Sequence, residues 1–352
     1  MALIIRNLSK TFGDFTISIN LSVEEGETLV LAGPSGCGKT TALQLISGLL
    51  EADGGELILN GKNITNMPPW ERNIAMVFQD LALFPHLNVE KNITYAPRIK
   101  GVKKDDCKKL AEENLSLVRL SKYGKRRIQT LSGGEKQRIA IARALASQPN
   151  CLLFDEPFSS LDTPLRRELR DHFLEIRKET AIPCIFVTHD REEAAVTADK
   201  IAVMDKGKVA ETGSPKDLFL FPKTKIAAEF FGYGQVFSCT IKQAQSEKSF
   251  IQSALGELEI PNNQNLKNKN AFFFLPKDAI QLAMNNQPLT KPMKIITTLF
   301  KRAVYRGDSL TYELEIPGGI ILVVDADIRK SIPQKNEAVS LTIDQNLIHF
   351  VE

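Results

Sequence analysis

The sequence predicts an α/β unit built on a mostly parallel sheet, followed by a small all-β unit. Three observations carry that expectation. Buried-strand segments such as "ETLVLA" (27–32), "CLLF" (151–154), "PCIFVTH" (183–189) and "IAVM" (201–204) alternate with helical ones. That alternation is what a parallel sheet covered on both faces requires. A glycine-rich loop, "GPSGCGKTT" (33–41), stands between the first of those strands and the helix "TTALQLISGLL". Near residue 235 the helical pattern stops, and short alternating strands divided by Pro, Asn and Gly replace it.

Taken in order, "LIIRNL" and "FTISINLSV" read as β-rich segments of an antiparallel subdomain, and "ELILNG" as a strand ending in a turn. "NIAMVF" (73–78) is an apolar run expected to be a core strand. From about 85 to 145 the pattern is helical with charged faces, which predicts an inserted helical subdomain. "PLRRELRDHFLEIRKET" is a further charged helix between strands. The first domain is expected to span 1–234 and the second 235–352. The second contains "FSCTI", "FIQSAL", "ELEI", "AFFFL", "SLTYELEI", "IILVV", "AVSLTI" and "LIHFV", enough for one or two compact barrels.

At 352 residues the chain has room for two domains, and a net charge of +3 leaves no electrostatic footprint for nucleic acid. The lysines between Lys100 and Lys109 are interrupted by Asp105 and Asp106 and read as a solvated helix face. No apolar stretch approaches the roughly 20 residues that cross a bilayer, and "MALIIRNLSK" lacks the pattern of a signal peptide. Any service to a membrane is therefore expected from a peripheral position. Cys37, Cys107, Cys151, Cys184 and Cys239 are widely spaced and read as reduced thiols, and the four histidines form no metal-binding cluster.

The chemistry begins at the glycine-rich loop. Gly33, Gly38, Lys39 and Thr40 satisfy the spacing G-x-x-x-x-G-K-[ST]. Glycines let successive backbone N–H groups turn toward phosphate oxygens, and the following helix adds its positive dipole end. Gly33, Pro34, Ser35, Gly36, Cys37, Gly38, Lys39, Thr40 and Thr41 are the candidate nucleotide-binding set. Lys39 is expected to reach the β- and γ-phosphates and the Thr40 hydroxyl to meet Mg²⁺. Such a loop implies an apolar strand that delivers a carboxylate to the metal, and "CLLFDEP" supplies Asp155 for that role. Glu156, next in sequence, is placed to polarise the attacking water.

A second cradle, "LSGGEKQR" (131–138), has a plain explanation, because Ser132 and Glu135 have capping-box spacing. The full motif set changes its meaning. "GPSGCGKT", the glutamine of "VFQD", "LSGGEKQR", "LLFDEP", "SSLD" and "VTHD" follow one another over residues 1 to about 230. With them the chain resembles the ATP-binding subunit of an ATP-binding cassette (ABC) transporter, which implies a P-loop NTPase cassette and ATP hydrolysis. The resemblance implies that Ser132, Gly133 and Gly134 face ATP held by a second copy, so that ATP bridges a head-to-tail dimer. It further implies that Gln79 senses Mg²⁺ and the attacking water, that His189 contacts the γ-phosphate, and that Asp162 lies across the dimer interface. Phe12, in "KTFG", occupies the place of an adenine-stacking aromatic ring, with a core aromatic as the alternative.

One cassette without a coiled-coil insertion argues against the soluble members of the family. The C-terminal strands resemble the OB-like (TOBE-like) barrels appended to bacterial importer ATPases for iron, polyamines, sugars and oxyanions. They lack the basic cluster and interleaved aromatics of a nucleic-acid binder. The expectation is an importer ATPase on the cytoplasmic face of the cell membrane. Its partners would be transmembrane permease subunits and, indirectly, a periplasmic or surface solute-binding protein. "HDREEA" and "LFPH" resemble iron(III) importers first and polyamine importers second. Sugar or oxyanion (sulfate, molybdate) importers are the alternatives, and an exporter or soluble ATPase is the reading from a different class. Leu81, Leu83 and Phe84 form an apolar cluster expected either to meet a membrane subunit or to cover the helical subdomain.

Overall fold

The computed structural model describes residues 2–159, 161–244, 247–261, 270–283, 293–306, 309–329 and 331–352. They fall into two compact units, Met1–Pro215 and Lys216–Glu352.

The first unit opens with β1 (Leu3–Phe12), β2 (Phe15–Val23) and β3 (Thr28–Ala32), followed by α1 (Lys39–Ser47). Two short strands, β4 (Gly54–Leu59) and β5 (Lys62–Asn63), precede β6 (Ile74–Val77). The helical stretch holds α2 (Val89–Ile93), α3 (Tyr95–Ile99), α4 (Lys104–Leu117) and α5 (Gly133–Ala146). Then β7 (Cys151–Asp155), α6 (Thr163–Thr180), β8 (Cys184–Val187), α7 (Arg191–Thr197), β9 (Lys200–Asp205) and β10 (Lys208–Gly213) complete it.

One ten-stranded sheet runs through this unit in the order β5-β4-β1-β2-β10-β9-β3-β8-β7-β6. The strands from β9 to β6 pair in parallel. Those from β5 to β2 pair antiparallel. The antiparallel strands are thus a continuation of the same sheet, joined through Lys208 opposite Ser18. Strands β3, β7 and β8 are buried along their whole length, which explains their unbroken apolar runs. Strand β6 departs from expectation. It lies at the sheet edge and is mostly half-buried rather than central.

This topology places the chemistry. Ligands of open α/β sheets bind beyond the carboxyl ends of parallel strands. The glycine-rich loop follows β3, Gln79 follows β6, Asp155 ends β7 and His189 follows β8. Four neighbouring strand ends therefore present the candidate residues on one rim.

The second unit starts with α8 (Pro215–Leu220) and α9 (Lys225–Phe230). Its first sheet, in the order β13-β12-β11-β14-β20, uses β11 (Gly234–Ala244), β12 (Lys248–Ser253), β13 (Gly256–Pro261), β14 (Asn270–Pro276) and β20 (His349–Val351). Its second, β15-β19-β16-β17-β18, uses β15 (Ile280–Leu282), β16 (Met293–Arg306), β17 (Ser309–Ile316), β18 (Ile320–Ala326) and β19 (Ala338–Asp344). Phe237, Ile251 and Phe273 from one sheet share a single core with Phe300, Tyr312 and Leu341 from the other.

The boundary falls at 215/216 rather than at 234/235, because α8 and α9 are bound to the β unit. Lys225 N–H donates to the Glu352 carbonyl at 2.6 Å, and Tyr233 N–H to that of Phe219 at 2.8 Å. Ala228 is buried with Phe274 and Val351. The glycines of "FFGYGQVF" are packing positions: a Cβ at Gly232 would lie 2.5 Å from the Phe274 ring.

Candidate functional site

The glycine-rich loop leaves buried β3 and enters α1 through three left-handed glycines: Gly33 at φ 146°, Gly36 at φ 79° and Gly38 at φ 107°. A Cβ at Gly33 would stand 2.3 Å from the Met204 carbonyl oxygen, so only glycine lets the loop lie this close to β9. Pro34, Ser35 and Gly36 form the outer bend, with Ser35 and Gly36 exposed, while Cys37 is buried beneath it. Lys39 is itself buried and donates to the carbonyls of Gly33 and Pro34, each at 2.9 Å. Thr40 and Thr41 lie in the first turn of α1. Arg72 secures the far end of that helix by donating to the Leu45 and Ile46 carbonyls at 2.8 and 2.9 Å.

The Thr40 hydroxyl donates to Asp155 Oδ1 at 3.1 Å, joining the loop to the end of β7. Asp155 is buried, and loss of solvent raises its pKa, partly opposed by that hydrogen bond. Glu156 leaves the strand at φ 45°, an uncommon conformation for a residue with a Cβ. Its backbone is held from both sides. The N–H donates to the Val187 carbonyl at 3.0 Å, and its own carbonyl accepts from Ser159 N–H and hydroxyl at 3.2 and 2.9 Å. The Glu156 carboxylate meets His189 Nδ1 at 3.2 Å, with His189 largely exposed. Gln79 is exposed in the turn after β6, the strand paired with β7.

The second cradle is built on α5 rather than on α1. Ser132 caps α5 and accepts from Glu135 N–H at 3.3 Å, while Glu135 accepts from Ser132 N–H at 2.7 Å. Ser132 and Gly133 are exposed, and Gly134 is buried against α6. A Cβ there would lie 2.9 Å from Leu165 Cδ2. Asp162 caps α6 by accepting from Leu165 N–H at 3.0 Å. Ser160, within "SSLD", lies outside the described residues.

Sequence similarity fits this arrangement. The family model described as ABC transporter matches residues 17–159. The Fe(3+) ions import ATP-binding protein FbpC of Brucella abortus is 38% identical over 336 residues, 94% of this chain and 92% of that protein. The spermidine/putrescine import ATP-binding protein PotA of Rubrobacter xylanophilus is 35% identical over 356 residues, 98% and 92% of the two chains. The chain belongs to the ABC transporter ATP-binding family. Among solved structures, CbiO1 of Clostridium perfringens, part of the ABC transporter complex CbiONQ, matches at a TM-score of 0.57 and 28% identity. That match covers 62% of this chain and 90% of CbiO1. As a member of this family the chain is an ATP-hydrolysing transporter ATPase.

Other parts of the cassette were less visible in the sequence. Phe12 is 45% exposed, so it is not a core aromatic. It sits opposite Phe15 across the β1–β2 hairpin, and the Phe15 ring approaches Gly38. The segment after Gln79 is fixed through its backbone. Arg143 donates to the carbonyls of Ala82 and Leu81 at 2.5 and 2.8 Å, and buried Asn92 brackets Phe84 by accepting from its N–H and donating to its carbonyl. Phe84 rests on Tyr95, with ring centroids 4.5 Å apart. The sequence signals for Arg143 and Asn92 are weak: single polar residues inside otherwise apolar helical faces.

Proposed function

We propose that this chain is the ATPase of an iron(III) importer, working as an ATP-bridged dimer on permease subunits at the cytoplasmic face of the membrane. The observation that carries the cargo is the similarity to FbpC over 94% of the chain, which includes the β unit and not the cassette alone. Polyamine uptake is the second reading, supported by PotA over 98% of the chain. A peripheral position agrees with the finding that no described helix is long and apolar enough to cross a membrane.

In this reading the N–H groups of 33–41 and the α1 dipole receive the phosphates, and Lys39 exchanges its two carbonyl acceptors for phosphate oxygens. Thr40 and Asp155 fit Mg²⁺: two hard oxygen donors already adjacent, one of them a carboxylate at the buried end of β7. Bound there, Mg²⁺ would neutralise charge on the phosphate oxygens. Glu156 accepts the proton of the attacking water, and His189, already in contact with it, orients that carboxylate and reads the γ-phosphate. Gln79 reports the state of the site to the helical subdomain. Ser132, Gly133 and Gly134 close over the partner copy's ATP, with Asp162 at the interface. Phe12 stacks on adenine from the tip of the hairpin.

The test is ATP hydrolysis by the purified chain. Lys39→Ala should abolish phosphate release. Glu156→Gln should bind ATP, accumulate as a dimer on size exclusion, and hydrolyse about 10²-fold slower or worse. Full activity in Lys39→Ala would defeat the assignment of the loop. For cargo, a deletion strain should lose uptake of labelled iron(III) and keep that of spermidine. The reverse pattern selects the second reading.

A further inference from the structure

His189 is held on both flanks, and one flank leads to α6. On the strand side, Thr188 Oγ accepts from Asp190 N–H at 3.0 Å and donates to buried Glu193. On the helix side, Asp190 Oδ1 caps α7 by accepting from the N–H groups of Glu192 and Glu193 at 2.8 and 3.0 Å. Its second oxygen, Oδ2, turns away from α7 and accepts from Arg166 Nη1 at 3.2 Å. The other arm of that guanidinium, Nη2, donates to the Leu161 carbonyl at 3.0 Å. Arg166 Nε is buried and has no hydrogen-bond partner among the described residues, which leaves these two acceptors as the ones the fork serves there. Leu161 donates its N–H to the Phe158 carbonyl at 3.3 Å and immediately precedes the Asp162 cap. Its Cδ2 lies 3.5 Å from where a Cβ on Gly133 would stand, and Leu165 abuts Gly134.

We propose that Arg166 is a positioning residue that links the two half-sites of one chain. Its rigid fork fixes the residue after His189 and the turn that carries Asp162 relative to each other. Leu161 and Leu165 then pass that register to Gly133 and Gly134. A shift of His189 on its own nucleotide therefore moves the surface offered to the partner's nucleotide. The pair is about one-third exposed on each side, so its role is geometric and its contribution to stability small. The inference rests on the dimeric ATPase reading above.

The experiment is a double-mutant cycle on the full chain, read as kcat, ATP KM and Hill coefficient. Arg166→Gln should lower kcat about tenfold with KM changed by no more than about twofold, because misplacement affects the reacting geometry more than binding. The Hill coefficient should fall toward one. Asp190→Asn keeps an N-cap acceptor while removing the charge and should give the same loss. The double variant should be no slower than either single one, since both break one link. Arg166→Lys offers a point charge in place of a fork and should recover only part of the rate. A purely structural role would lower the melting temperature and leave kcat and cooperativity intact below it, which overturns the proposal. So do losses that multiply in the double variant. If Arg166→Gln does not fold, Asp190→Asn decides by its kcat and Hill coefficient. Lys39→Ala is run alongside: if it is inactive while Arg166→Gln behaves as wild type, only the coupling fails. An active Lys39→Ala overturns the underlying reading instead.

Discussion

Glu193 is an acid that motif spacing passes over, yet it is buried at 5% exposure beside Thr188 and Asp190, the neighbours of His189. Burial pushes its carboxyl up to about 7 from an ordinary 4.5, and Asp190 adds to the rise, while Thr188, Arg166 and His189 oppose it. Between those two values the folded chain holds a proton that the unfolded chain has released. Stability from this group is therefore present at the acid end and lost as pH climbs from about 4.5 to about 7, by about 3 kcal/mol at most. Glu193→Gln keeps an acceptor for Thr188 and removes the titration. Its melting temperature should drop less between pH 5 and pH 8 than that of wild type, by roughly 5 °C. Calorimetry at both pH values checks this, and equal drops would refute it. The contrast with Lys39, Thr40, Asp155 and Glu156 shows what a sequence carries at this scale. Those residues sit at fixed offsets within one strand-loop-helix or at one strand end, so spacing alone exposes them. Arg166, within α6, and Asp190, the N-cap of α7, are 24 residues apart, and only the packing of α6 against α7 makes them a pair.

At the scale of an element, the N-terminus of α5 carries a capping box whose outer residues stay open to solvent. The capping box is real, so the plain reading of Ser132 and Glu135 is correct as far as it goes. Its exposure at Ser132 and Gly133, together with the close approach of Gly134 to Leu165, is what a cap alone does not require. Gly134→Ala should cost only about 1 kcal/mol, because the Leu165 methyls are able to shift. ATPase activity should fall by far more than that stability loss accounts for, which thermal melts and rate assays on one preparation would compare. The segment after Gln79 divides in the same way. Phe84 covers Tyr95 and so partly fulfils the packing role, whereas Leu83 is half-buried on a backbone already fixed by Arg143 and Asn92. Leu83→Ser should keep isolated ATPase activity and weaken co-purification with permease subunits. Phe84→Ser should also lower the melting temperature, through loss of an aromatic pair worth about 1 kcal/mol. Strand β16 marks the limit of legibility here. Its alternation is obscured because apolar Ile295, Leu299 and Tyr305 face solvent and the register against β17 shifts between Phe300 and Arg302.

At the scale of the whole molecule, the order of strands and helices in the cassette was readable because each parallel strand is a short apolar run between turn signals. The seam between units was not. Residues 216–233 continue the helical character of the cassette in sequence, and their partners, β14 and β20, lie far along the chain, one of them at its very end. A composition shift marks where strands begin, which is later than where the second unit begins. That difference has a measurable consequence. A chain ending at Pro215 removes the second unit as a body, and a chain ending at Tyr233 keeps α8 and α9 without the surface they cover. Leu218, Ala227, Ala228 and Phe231 are all buried in the intact protein. In the longer truncation Ala228 loses its packing against Phe274 and Val351, and this apolar face joins the exposed surface, which favours association. Every candidate catalytic residue lies within Met1–Pro215, so the shorter chain should hydrolyse ATP and remain monomeric without nucleotide. The longer one should melt lower or aggregate despite its extra residues. Thermal melts and light scattering on the two preparations, with ATPase rates beside them, decide the point. A better-behaved longer chain would return the boundary to the start of β11.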